Sequence, residues 1–179
     1  MSLIKTNARS ASALDATILT GNLPAISGSS LTGVSAGKVL QFVRNTSTSE
    51  ITNTSTSSTV DGVPTANFTP TSASSKIYLQ WNIHVRTNVV QGSIDGSIQY
   101  EIFRDSTLLF TSSSVINYIS AGFSGHTRQP FIFNYLDTPN TTSQVTYKYK
   151  FKNPHNTTTI YVGGGGSATH TLTIWEIEG

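Results

Sequence analysis

The chain has 179 residues, enough for one ordinary domain and an appendage, and it has no cysteine, which removes disulfides and thiol catalysis. Charged residues make up only 11% and the formal net charge is +2 with no dense basic patch, so no nucleic-acid partner is expected. Serine and threonine together number 52, a bias that favours extended structure because Thr is β-branched and Ser competes with helix hydrogen bonds.

Residues 1–18 are small and polar, with "ARSASALDATIL" offering at most one short helix. They lack the apolar core of about 7–15 residues that marks a signal peptide. No run anywhere approaches the roughly 20 apolar residues of a membrane helix, so no membrane insertion is expected. Sequons occur at Asn45, Asn53, Asn67, Asn140 and Asn156, and without a secretion signal they read as a by-product of composition.

The next stretch, "LTGNLPAISGSSLTGV" at 19–34, has linker composition but carries Leu19, Leu23, Ile26, Leu31 and Val34. Gly21, Gly28, Gly33 and Pro24 argue against regular helix. A single extended chain can neither bury those five side chains nor satisfy its own backbone. Three parallel copies can do both, with the apolar groups on a common axis and the glycines allowing close approach. Residues 19–36 are therefore expected to form a trimerising stalk, at most roughly 60 Å long at about 3.3 Å per residue.

From Gly37 to Gly179 the texture is all-β. In "KIYLQWNIHVR" (76–86), Ile77, Leu79, Trp81, Ile83 and Val85 alternate with Tyr78, Gln80, Asn82, His84 and Arg86. "QVTYKYKFK" (144–152) alternates Val145, Tyr147, Tyr149 and Phe151 with Thr146, Lys148, Lys150 and Lys152. Further strands are expected at 38–44, 96–104, 107–111, 130–136, 158–163 and 168–178, separated by turn signals at Asp61-Gly62, Asp95-Gly96, 104–106, 138–140 and 153–156. The low-complexity run 46–62 reads as a partly ordered edge or loop. About eight to ten strands with no long helical pattern between them suit an antiparallel sandwich, and a jelly roll has the right size.

Catalytic signals are missing. Asp61, Asp95, Asp105 and Asp137 sit in turn-like contexts, while Glu176 and Glu178 belong to the solvated end of the last strand. His84, His126, His155 and His170 show no ligand spacing, although one histidine on a threefold axis would be presented three times. "GFSG" (122–125) is one residue short of a nucleophile elbow, and "GGGGS" (163–167) is a loop where something can approach closely rather than a phosphate loop. The lysines of 148–152 read as a solvated strand face. No catalytic residue, cofactor or metal site is expected. The loop "NYISAGFSGHTRQP" (117–130) is the candidate recognition element, through Tyr118, Phe123, His126 and Arg128.

Three stretches resemble one protein group. "GNLPAISGSSLTGVSAGKVLQ" resembles the segment preceding the distal domain of tailed-bacteriophage fibres and fibre-like virion proteins. "FTPTSASSKIYLQWNIHV" resembles their T-P-x-S-x-S-S-K-I strand, and "GGGGSATHTLTIWEIEG" their closing glycine-rich loop and terminal strand. The match covers roughly 19–45, 66–86 and 160–179, and the order of the motifs is more specific than any one of them.

The resemblance implies a homotrimeric protein of the virion surface. Residues 1–18 would dock to another virion protein, and 37–179 would form a jelly-roll (TNF-like) sandwich head. Such heads commonly bind a host-surface glycan or protein, here through the 117–130 loop, and related trimers decorate capsids. Having one short stalk unit, the chain departs from long fibres and keeps a capsid-decorating role open.

Overall fold

The computed structural model describes residues 38–89, 97–113, 125–154, 159–163 and 168–179. The stalk positions Leu19, Leu23, Ile26, Leu31 and Val34, the docking segment, and Tyr118 and Phe123 lie outside the described residues.

Eleven strands follow one another: β1 (Val39–Ser47), β2 (Ile51–Asn53), β3 (Val60–Asp61), β4 (Ala66–Phe68), β5 (Lys76–Val89), β6 (Gln99–Arg104), β7 (Thr107–Thr111), β8 (Gly125–Asp137), β9 (Val145–Lys152), β10 (Thr159–Val162) and β11 (His170–Ile177). They form a six-stranded sheet, β1-β11-β5-β10-β2 with β8 on the other edge of β5, and a five-stranded sheet, β3-β9-β6-β7 with β4 also on β9. All pairings are antiparallel.

Several of these strands are halves of longer lines. β1 and β2 pair in succession with β11 and β10, which both lie along one edge of β5; β3 and β4 share one edge of β9. Counted as lines, eight strands remain, paired first with eighth, second with seventh, third with sixth and fourth with fifth. A hairpin folded on itself in that way and rolled into two four-line sheets is a jelly roll. The expected strands at 76–86, 107–111 and 144–152 stand where the alternation put them, and the 46–62 run is an ordered edge containing β2 and β3. Its Asn53 is buried: the side-chain amide donates to the carbonyls of Ser58 and Phe151, which also makes it a poor glycan acceptor.

The core lies between the sheets. Ile77, Leu79, Trp81 and Ile83 from β5 meet Tyr147, Tyr149 and Phe151 from β9, all with no exposed surface. Trp81 stacks on Phe133 at 5.2 Å, and Tyr149 meets both rings edge-on at 5.9 and 5.2 Å. The polar tips of these rings hold the 60–68 segment. Tyr149 donates to the Val63 carbonyl and Trp81 Nε1 to that of Pro64, across a cis Val63-Pro64 bond. Gly62 is required here, since a Cβ would stand 2.1 Å from the Tyr149 ring.

Two acidic residues differ from the sequence reading. Asp137 is not a turn residue but the buried end of β8, where Arg104 Nη1 donates to both its oxygens at 2.9 and 2.8 Å and the Tyr147 hydroxyl donates at 2.7 Å. Because Arg104 and Tyr147 belong to the second sheet, this cluster ties the sheets together; burial and the bond to Asp137 push the Tyr147 hydroxyl well above its ordinary range.

Glu176 is not at a solvated end either: it is fully buried and accepts from Gln41 Nε2, from the amide and hydroxyl of Thr71, and from the Ser72 amide. Burial alone would raise its pKa, but these bonds hold the carboxyl below its ordinary value.

His170 is buried at the start of β11, with Nδ1 accepting the His84 amide at 3.1 Å and Nε2 lacking a partner among the described residues. Burial first, and His84 second, lower its pKa. Asp105 does behave as expected, at φ +53 in the β6–β7 turn, where its side chain accepts the Thr146 amide.

Removing Asp137 leaves a half-buried guanidinium and a buried phenol unpartnered. In denaturant melts, Asp137→Ala should cost about 3 kcal/mol. Asp61→Ala, which removes only exposed ion pairs to Lys148 and Lys150, should cost under about 1 kcal/mol. Equal losses would remove the inter-sheet role.

Above about pH 6.5, His170 is neutral folded or unfolded; below it, the unfolded chain takes up the proton first. The melting temperature should therefore fall as pH drops through about 6.5, and His170→Gln, which keeps an acceptor without titrating, should flatten that dependence. An identical slope in the variant would assign it elsewhere.

Candidate functional site

Each residue that the first sheet buries turns its neighbour outward. On that outer face Phe42 stands opposite Trp175, Trp175 opposite Tyr78, and Tyr78 opposite Leu136, so one apolar row crosses β1, β11, β5 and β8. Phe42 meets Trp175 edge-on at 5.6 Å, and Tyr78 lies 5.4 Å from the same ring. Phe42 and Leu136 nevertheless stay 55% and 51% exposed, as do Val39 (52%) and Ile132 (57%) on the same face. Between Phe42 and Thr46 on β1, the next row is Arg44, Thr173, Gln80 and Asn134, and the one after it is Thr46, Thr171, Asn82 and Ile132. None of the outward residues of these four strands is acidic. An extended apolar row bordered by polar groups, none of them acidic, is how an interface core is composed.

The second sheet's outer face has the opposite character. Lys148 and Lys150 sit 3.6 and 3.7 Å from Asp61, and Lys150 lies over the Phe103 ring at 5.2 Å. Charged, paired and wet, it is the solvated face that the lysine row suggested.

The strand directions give the sandwich two ends. The chain enters β1 at Val39 at the end where β5 begins, β11 stops and the Asp137–Arg104 pair lies. The connections from Val89 to Ser97, from Ser113 to Gly125 and from Pro154 to Thr159 all leave from and return to the opposite end. Gly163, at φ +101, lies beside the middle of β5, where β10 ends. Its N–H donates to the His84 carbonyl, and a Cβ would stand 2.2 Å from the Ser49 carbonyl, so the first residue of the glycine run does permit a close approach.

Of the expected recognition residues, His126 and Arg128 are not in a loop but on β8, which starts five residues earlier than the alternation suggested. Both are exposed on the outer face, opposite Asn88 and Arg86 respectively. Arg86 is held from two sides: its guanidinium lies 3.6 Å above the Tyr161 ring, and Nη2 donates to both oxygens of Glu50 at 3.2 Å. The apolar row itself was assigned no role from sequence. Its signal was present in Tyr78 and Trp175, large aromatics at positions the alternation turns away from the core.

Among the described residues no group of three or more His, Asp or Glu could hold a metal ion. The buried carboxylates Asp137 and Glu176 are committed to structural partners. No helix among the described residues is long and apolar enough to cross a membrane.

No protein-family model matches the chain, and no curated protein does. Solved structures similar to it include that of the infectious bursal disease virus Gx strain, at 12% identity and a TM-score of 0.35, covering 87% of this chain and 44% of that one. A mutant VP2 protein of the same virus, from derived T=1 particles, is 14% identical with a TM-score of 0.39, over 86% and 40% of the two chains. The chain thus spans less than half the length of these structures, and at such overlap the strand order, not the likeness, carries the fold assignment.

Proposed function

We propose that this chain is a structural protein of a bacteriophage virion, a short homotrimeric fibre whose jelly-roll head adheres to the host surface. Residues 1–18 dock it to another virion protein, 19–36 form the stalk, and 37–179 the head. The observation that carries the reading is the exposed row Phe42–Trp175–Tyr78–Leu136 on an outer face without acidic side chains. Val34 and Val39 are five positions apart, a reach of at most roughly 18 Å, so a trimer formed at 19–36 keeps three heads within reach of one another. Second and third copies of the chain are then the partners that cover the row.

The same polarity directs the head. In this reading the end of the sandwich where β5, β7 and β9 stop is the host-facing one, where a weak contact repeated threefold gains avidity. The single short stalk unit favours a second reading, in which the trimer decorates or stabilises the capsid.

Light scattering on the full chain should give a trimer, and a monomer at micromolar concentration overturns the proposal. Phe42→Asp with Leu136→Asp, at exposed positions, should weaken the trimer at least about a hundredfold, from the loss of two buried apolar side chains. Leu23→Asp with Ile26→Asp tests the stalk: a trimer that survives it is held by the heads. Isolated protein should bind host cells and compete with phage adsorption. Particles lacking it that adsorb normally but lose shell stability would establish the decorating role instead.

A further inference from the structure

The far end of the same outer face carries a second feature that the trimer does not use. Thr52, Tyr161, Arg86 and Arg128 stand in one row across β2, β10, β5 and β8. Directly opposed residues of an antiparallel pair have Cβ atoms about 4.5–5.5 Å apart, and like charges in that position repel. Here two arginines occupy directly opposed positions, and among the described residues Glu50 is the carboxylate that pairs with Arg86.

Arg86 is fixed rather than mobile. The Tyr161 ring lies beneath it, Glu50 holds Nη2, and its buried Nε has no acceptor among the described residues. Arg128 is exposed and shares no ion pair with a described carboxylate. One row further along, His126 faces Asn88, adding ring and amide donors of the kind that meet sugar hydroxyls. A positioned arginine, an opposed free one and neutral polar neighbours suit an oxyanion carried on a polar chain.

We propose that Arg86 and Arg128, with His126 and Asn88 beside them, bind the carboxylate or phosphate of an acidic polysaccharide. Arg128 makes the direct charge-assisted contact, while Arg86, fixed by Glu50 and Tyr161, adds positive charge from the directly opposed position. The site deepens the adhesion reading by naming the ligand class, and rests on that reading only for the source of the polysaccharide.

The test is calorimetric titration of the full-length protein with three probes of similar length: a glucuronic-acid oligosaccharide, a glycerol-phosphate oligomer and a neutral gluco-oligosaccharide. One or both acidic probes should bind, more weakly as salt rises, and which of them binds identifies the oxyanion. Arg128→Glu should weaken that binding at least about tenfold with an unchanged melting temperature, while Arg44→Glu, on the same face but in a distant row, should not. Equal binding of the neutral probe, no binding of either acidic probe, or full binding by Arg128→Glu overturns the site. Host-cell adsorption separates the two proposals. Arg128-dependent binding of an acidic probe without adsorption leaves the site and removes adhesion, whereas adsorption that Arg128→Glu leaves intact, with no acidic probe bound, does the reverse.

Discussion

A β-strand cannot bury one residue without turning the next one outward, and β5 makes the consequences of that parity plain. Its inner residues, Ile77 through Ile83, form the centre of the core against Tyr147, Tyr149 and Phe151. The same pleat places Tyr78, Gln80, Asn82 and Arg86 on the outside, where β8 on one edge and β10 and β11 on the other extend each into a row. The apolar row at one end and the arginine pair at the other are thus products of one register. A slip by a single residue would exchange core and surface across the whole sheet.

Because the two sheets bury apolar surface without directional preference, polar contacts between distant segments settle how their ends meet. Arg104, Asp137 and Tyr147 do so where β6, β8 and β9 converge. Glu176 does so by gathering the 69–75 loop and β1 around one carboxylate. That site also gives a physical reason for two of the stretches that resemble phage fibres. The T-P-T-S-A-S-S-K stretch supplies the donors, the terminal strand supplies the acceptor, and neither is satisfied without the other.

The interrupted strand lines bring distant residues together without opening the sheet. β1 breaks before β2 where β10 breaks before β11, and the matched gap brings Glu50 against Arg86 and Gly163 against Ser49. An irregularity shared by two paired strands keeps the ladder on both sides while re-aiming side chains at the joint. One outer face thus carries apolar side chains close to where the chain enters β1 and charge close to the opposite end.

Much of the fold was legible in the chain itself. Strict alternation in 76–86 and 144–152, together with turn residues between apolar runs, determined the strands, the inner residues and the sandwich class, because a two-residue period is a local property. What only the tertiary structure decided depends on partners far away in sequence. Asp137 and Glu176 look like turn and terminal acids until residues 33 and 105 positions away close around them. His126 and Arg128 look like loop residues until β5 pairs with them and extends β8. Arg86 and Arg128 become a pair only through register, and no spacing along the chain encodes which strand lies beside which.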